Sequence, residues 1–540
     1  MSPTSAPAGG LQPDELFGHP RGLYVCFATE LWERFSFYGM KYLLLLYLTK
    51  YHLFSDLAGY DVLGAYAGLV YGLPVIGGLI ADRYLGTRKA VVFGALLLCL
   101  GHLLMAFEGD AAVRYEAGTV LAEAVEVSGV SYAAGVALTA DLVVQDVVAL
   151  DVLFLALALI TVGVGFLKPN ISTMVGQLYA IEDPRRDAGF TIFYMGINIG
   201  AFVAILLCGW LGESFGWGYG FGAAGIGMLL GLVVFLRGQR HLMGLAEPPD
   251  EHALQQRRFG LKTELWIYLG GLLALIPVWI LVQHEPVVHT GLNTLMIVAL
   301  AGLPLYALIT GSKEEFQRTL VLMALISFSI IFWALFEQSA GSMTLYADRI
   351  VDRELMGTEV RASMFGSLNP LFIITLAPLF AWLWVRLSAR GLEPSVPVKF
   401  AIGIVLAGAG FGALVLGASG ANADAQVNMG WLVAAYFLHT SGELCLSPVG
   451  LSAVTKLSLK RVVGVSMGTW FLATSLSETV ATRIGKLAAL DSGSGTLDDP
   501  VQMLQTYTAL YEFLAIGGVA AGVVLLVLSP LLKRGMHGVR

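Results

Sequence analysis

The stretch GLYVCFATELWERFSFYGMKYLLLLYLT, residues 22–49, decides the fold. By length and hydropathy it is a membrane span, since about 20 apolar residues carry a helix across the hydrocarbon core. Yet it holds Glu30, Glu33, Arg34 and Lys41. A charge at the bilayer centre costs roughly 2.5–3.5 kcal/mol on insertion scales, so such residues face a protein interior or a watery cavity and usually pair. On a helix, Glu30, Arg34, Tyr38 and Lys41 fall along one stripe with Glu33 beside it. Lipid does not tolerate that stripe. The spacing predicts an inward-facing proton and substrate site rather than a purely structural ion-pair network.

The rest of the chain is of the same kind. Of 540 residues, 56% are hydrophobic and only 13% charged, against about 25% charged in soluble domains. The mean hydropathy is +0.74. This is an all-α integral membrane protein in a lipid bilayer, and no nucleic-acid partner is expected. Apolar runs recur at 22–49, 60–81, 88–108, 151–174, 188–211, 218–236, 265–283, 292–310, 319–346, 365–388, 397–417, 430–456, 463–485 and 508–532, which predicts 14 transmembrane helices. With both termini cytoplasmic, 22 of the 32 Lys and Arg residues fall in cytoplasmic segments, six in external ones and four (Arg34, Lys41, Lys168, Arg483) within spans. That asymmetry sets the orientation. Residues 1–20 lack a signal-peptide pattern and read as a disordered cytoplasmic tail. The division predicted is an N-terminal six-helix bundle over 21–240, a basic linker plus an inserted helix pair over 241–315, and a C-terminal six-helix bundle over 316–535. The inserted pair reads as free of embedded ionisable residues. Segment 109–150, rich in Ala and Val, is too long for a tight connection and is expected to hold short helices or to extend its neighbouring spans. Cys26, Cys99, Cys208 and Cys445 have no ligand or disulfide spacing and read as small buried hydrophobes.

Further ionisable residues lie in the later spans. Lys168 in GFLKPN precedes a proline and needs an anion, for which Glu30 and Glu33 are natural partners. Glu337 follows FWALF, and Glu443 lies in HTSGELCLSP; a carboxylate amid apolar residues there can switch between protonated and paired forms or hold an ammonium group. His439, one turn before Glu443, reads as structural, as do Glu478 and Arg483. The turn GGLIADRYLGTRKAV carries Asp82, Arg83, Arg88 and Lys89 and reads as a cytoplasmic conformational latch that pairs with helix ends. The chain has no HExxH, no GxSxG and no metal-ligand cluster, so neither a membrane enzyme nor a metal site is expected.

These residues resemble those of the proton-dependent oligopeptide transporters of the major facilitator superfamily. Glu30-Leu-Trp-Glu-Arg34-Phe35 followed by Tyr38-Gly39 is similar to that family's first-helix signature. GGLIADRYLGTRK, the FYMGINIG run at 193–200, FWALFEQ (332–338), SLNP (367–370), GELCLSP (442–448) and TWFLA (469–473) follow in the family's order. The resemblance implies a major facilitator fold and no cofactor, with the proton as coupling ion. It implies a monomer in the cell membrane that imports di- and tripeptides with protons. It also implies roles position by position. Arg34 and Lys168 would attract the peptide carboxylate, and Glu443 would hold the ammonium. Tyr38, Tyr71, Asn198, Asn369 and Ser447 would contact the backbone, and Trp333 and Trp470 would line side-chain pockets. Glu30, Glu33 and Glu337, with Arg34, Lys41 and Lys168, would form the coupling and gating machinery. Phe336 stands where some members carry an acid, which leaves Glu337 as the coupling acid. Its protonation is expected to release Arg34 for the peptide. The rival reading is a transporter of another small solute, such as nitrate, on the same scaffold; Glu443 argues against it, because an acid in the cavity repels anions.

Overall fold

The computed structural model describes residues 15–127, 129–180, 182–489 and 499–539. Most of the expected tail, residues 1–14, lies outside that range. Residues 15–20, by contrast, are ordered as a two-stranded hairpin, β1 (Glu15–Leu16) on β2 (His19–Pro20). Glu15 bonds Arg185 at 2.7 Å and His19 bonds the Tyr179 hydroxyl at 2.7 Å, which fixes the entry to the first helix.

The bundle begins with α1 (Arg21–Lys50), α2 (Asp56–Gly72), α3 (Pro74–Ile80), α4 (Gly86–Met105), α5 (Val147–Gln177), α6 (Arg186–Phe215) and α7 (Trp217–Gly238). A short α8 (Glu251–Gln255) in the linker leads to the inserted helices α9 (Thr263–Leu273), α10 (Leu275–Val282) and α11 (Glu285–Thr310). The second half is α12 (Lys313–Phe336), α13 (Ser342–Arg349), α14 (Leu368–Ala389), α15 (Val396–Ala418), α16 (Met429–Leu457), α17 (Val463–Gly485) and α18 (Pro500–Gly535). Caps set several of these starts. Asp146 accepts from Ala149 N at the head of α5, and Ser312 with Glu315 forms a reciprocal capping box on α12.

Among the described residues, ten helical stretches are long and apolar enough to cross a membrane. One of them, Asp56–Met105, doubles back. Gly77 of α3 packs on the Gly165 carbonyl of α5, and Gly94 of α4 packs on the Gly163 carbonyl of the same helix, so the chain reverses between them at Gly86. The helices α1, α16 and α17, whose polar residues depress their hydropathy, complete a set of 14 spans. Two breaks bear on function. Pro169 in α5 cannot donate to the Gly165 carbonyl, and α3 presses close at that point. The span expected to run through 319–346 is instead broken after Phe336, where Glu337–Ser339 form a 3-10 turn and Gly341 leads into α13. The break places Glu337 at the C-terminal end of α12, where the span is interrupted.

Segment 109–150 departs from expectation. It is a small β-module, with β3 (Val113–Tyr115) antiparallel to β6 (Leu142–Val144) and β4 (Val125–Val127) antiparallel to β5 (Val130–Tyr132). Residues 115–127 (YEAGTVLAEAVEV) and 132–144 (YAAGVALTADLVV) align at a spacing of 17. The pairing obeys the same symmetry: Gly118 N donates to Leu138 O at 2.8 Å, and Gly135 N donates to Leu121 O at 2.9 Å. Both glycines have positive φ, +88° and +78°, which a turn at that place needs. Leu121, Leu138 and Leu142 form a separate small core. Alternating Val residues of period two, each flanked by a glycine turn, suit strands and not helices.

The inserted helices also differ from expectation. Helix α11 starts at Glu285, whose buried carboxylate binds Arg483 of α17 at 2.9 Å. The pair is therefore tied to the second half by an ion pair.

The two halves meet from the bundle centre up to the face that bears the β-module. There Arg349 binds Asp56 through two bonds of 2.7 Å, Lys50 binds Asp348 at 2.8 Å, and Lys486 binds Asp61. Gly64, Gly68 and Gly72 of α2 lie against Thr482, Thr479 and Ser475 of α17. That face is closed. Toward the opposite face, α3 and α17 expose Val75, Ile76, Leu79, Val465 and Phe471.

Candidate functional site

A cavity of about 300 Å³ lies at the centre, between the halves. All ten residues expected to contact substrate line it: Arg34, Tyr38, Tyr71, Lys168, Asn198, Trp333, Asn369, Glu443, Ser447 and Trp470. Lys41 and Glu337 line it too. Glu30 and Glu33 stand behind Arg34 and do not reach the wall. Of the turn residues, Asp82 and Arg83 are exposed. Arg88 bonds Glu247 at 2.6 and 2.8 Å and Gln239 at 3.0 Å, fastening the start of α4 to the linker away from the cavity.

The N-terminal wall is cationic. Helix α1 puts Glu30, Arg34 and Lys41 on one face because they are spaced by four and seven residues. Arg34 Nε lies 3.0 Å from Glu30 Oε1 and also contacts Glu33, and its guanidinium stacks over Phe37. The Lys168 Nζ sits 3.9 Å from the centroid of the Tyr71 ring, a cation–π contact. The expected pairing of Lys168 with Glu30 and Glu33 is thus replaced: the two acids are taken by Arg34, which is one helical turn and one residue away on their own helix, and Lys168 rests on an aromatic face.

The C-terminal wall is anionic. Glu337 Oε2 accepts from Lys41 Nζ at 2.9 Å. This corrects the expectation that Glu337 holds Arg34. Lys41 lies two turns further along α1, at the level where α12 breaks, whereas Arg34 is engaged by its own neighbours. The same Lys41 Nζ donates to Glu478 Oε1 of α17 at 2.8 Å. Glu478 is buried, stands behind the wall and was not among the residues the sequence marked as functional. Its signal was an isolated acid in TWFLATSLSETV, which sequence alone could not separate from a pair with Arg483. Glu443 Oε2 accepts from Asn369 Nδ2 at 2.9 Å, and Asn369 also donates to Thr440. Among the described residues no cation lies within ion-pair distance of Glu443. His439 packs on Phe411 and does not reach the wall. Trp333 and Phe336 meet edge to face, and Trp470 is held against Gly450. Tyr194, whose carbonyl accepts from Asn198 at 3.0 Å, Tyr42, Ser339 and Thr474 are among the polar lining residues unforeseen by the sequence.

All three cations of this cluster come from the first half, and Glu337, Glu443 and Glu478 come from the second. Among the described residues, two six-span halves and an inserted helix pair, with the halves closed at one face around a polar cavity with oppositely charged walls, define a secondary active transporter of the major facilitator type. Its family is given by comparison: residues 88–496 match the model of the POT family, to which the chain belongs. The chain is 36% identical to the "Uncharacterized transporter YclF" of Bacillus subtilis, over 97% of this chain and 96% of that one. It is 35% identical to the "Peptide transporter YePEPT" of Yersinia enterocolitica, over 95% of each. A crystal structure of a mutant peptide transporter POT in complex with alafosfalin superposes with a TM-score of 0.77 at 32% identity, covering 97% of both chains.

Proposed function

We propose that the chain is a symporter that imports di- and tripeptides together with protons by alternating access. It works as a single chain in the cell membrane with both termini in the cytoplasm. The observation that carries this reading is the polarity of the cavity. Arg34 and Lys168 stand on one wall, and Glu443 faces them from the other with no cation of its own among the described residues. A peptide zwitterion presents a carboxylate and an ammonium at its two ends, and charge-assisted bonds to both fix its direction. The residues between them, Tyr38, Tyr71, Asn198, Asn369 and Ser447, suit the peptide backbone; the Trp333 and Trp470 rings suit varied side chains. The relatives named as peptide transporters support the same reading.

Coupling follows from Lys41 and Glu337. They sit on different halves, so rocking must break their bond. Protonation of Glu337 removes one of the two charges that hold Lys41, and deprotonation on the cytoplasmic side restores it. One proton crossing ~100 mV yields about 2.3 kcal/mol, and one pH unit adds about 1.4 kcal/mol. Together they sustain accumulation on the order of several hundred-fold. The test is competition: dialanine should displace a labelled dipeptide and raise the melting temperature of the purified protein. Displacement by nitrate, with dialanine inert, would replace this reading with the anion one.

A further inference from the structure

We propose that Glu478 is a positioning residue for proton coupling: with Glu337 it forms a carboxyl pair that shares one proton around Lys41, and the pair takes its second proton when rocking of the halves withdraws the lysine. The inference rests on the proton-coupled reading above and concerns how the proton is held.

The geometry is specific. One ammonium group bridges two carboxylates, at 2.9 Å to Glu337 and 2.8 Å to Glu478. The side chains of Lys41 and Glu478 are 3% and 4% exposed, and that of Glu337 is 10% exposed. With both acids ionised the triad carries an unbalanced negative charge where its groups are largely buried, which is disfavoured. Among the described residues, no second cation lies at contact distance from the two carboxylates. From α2, Tyr66 and Tyr71 face the triad. From α5, Lys168 is engaged over Tyr71. From α1, Arg34 is held by Glu30 and Glu33. From α16, Glu443 adds another acid across the cavity. From α11, Glu285 and His289 are directed to Arg483 and Thr479 further along α17. One proton shared between the two carboxyls neutralises the triad, as in other close carboxyl pairs.

The topology gives this a consequence. Both acids belong to the second half and the lysine to the first. Rocking therefore removes Lys41 from both at once and leaves two adjacent carboxyls, which accept a further proton. When the lysine returns, that proton leaves. One proton moves per cycle, although two acids hold it.

The test compares wild type, Glu478→Gln and Glu478→Asp in liposomes. In Glu478→Gln no proton is already shared, so the one proton Glu337 takes up binds more readily than the second proton of the wild-type pair, and the pH profile of gradient-driven dipeptide uptake should shift to higher pH by about one unit or more. Counterflow exchange should persist. Glu478→Asp should restore the wild-type profile. A purely structural residue would lower the rate at every pH without moving the profile, and that result would overturn the proposal. Stoichiometry gives a second readout. A tenfold peptide gradient should be balanced by about 59 mV in both wild type and Glu478→Gln, and a wild-type balance near 30 mV would mean two independently carried protons and would also overturn it. Should Glu478→Gln fail to fold, infrared spectra decide. Glu337→Gln should remove one protonated-carboxyl band present in the wild type, and an unchanged band pattern contradicts the shared proton. Wild-type uptake that ignores the proton gradient would be a failure of the symport reading and not of the pair.

Discussion

Lys41 on α1 and Glu337 at the broken end of α12 are joined across the interface between the halves, Nζ to Oε2 at 2.9 Å, although 296 residues separate them. Glu337→Gln leaves Lys41 paired with Glu478 but removes the acid at the cavity wall that takes up the transported proton. Glu337→Gln should therefore lose concentrative uptake driven by a proton gradient while keeping peptide counterflow. Uptake and counterflow assays on the same liposomes check this. Normal accumulation by Glu337→Gln would remove Glu337 from the coupling step.

Glu443 is the acid of the cavity that has an amide partner, Asn369, and no cation among the described residues. A hydrogen bond to a charged group contributes about 1.5–3 kcal/mol, or roughly 10- to 100-fold in affinity. Glu443→Gln should bind dialanine weaker by that factor and should lose its preference over an N-acetylated dipeptide. Isothermal titration of the two ligands measures the difference.

Gly86 ends the turn between α3 and α4 with φ +71°, and an added Cβ would lie 2.5 to 2.7 Å from the backbone of Glu247 and Pro248. Both the conformation and the contact are unfavourable, at about 1–3 kcal/mol. Gly86→Ala should lower the melting temperature by several degrees. Gly291→Ala on α11, where nothing lies within 4 Å of the added atom, should be neutral or slightly stabilising.

The Arg88–Glu247 contact gives the turn a pH dependence. Hydrogen bonding by the Arg88 guanidinium holds the Glu247 carboxyl below its ordinary value of 4.5. A depressed folded-state value means that the contribution is present above the unfolded value and is lost as pH falls through the lower, folded one. The two side chains are substantially exposed, so the effect is small. Wild type should melt slightly above Glu247→Gln at pH 7, and the difference should vanish in acid below pH 4.5. Melting curves against pH decide.

Much of the site was legible because polar residues in a membrane span have few explanations. The stripe Glu30, Arg34, Tyr38, Lys41 pointed inward by spacing alone, and Glu443 stood out as a lone acid. What remained hidden was which cation meets which acid. Arg34 and Lys41 share a helix face two turns apart, and only the break of α12 after Phe336 shows that Glu337 comes level with the lysine. Glu478 was hidden for the same reason: its partner comes from α1. Glu285 was missed because its span begins with Glu-Pro, which hydropathy reads as a connection. In the 109–150 module, strand pairs of three residues fall below what a hydropathy window resolves, and the 17-residue repeat becomes plain once Leu121 and Leu138 are seen in one core.

Dipeptide accumulation in liposomes under an imposed proton gradient tests the central claim most directly. The account predicts that labelled dialanine concentrates inside when the exterior is acidic and the interior negative. The gradient should reach on the order of several hundred-fold at ~100 mV and one pH unit, and an uncoupler should collapse it. Accumulation that an uncoupler leaves unchanged would contradict it.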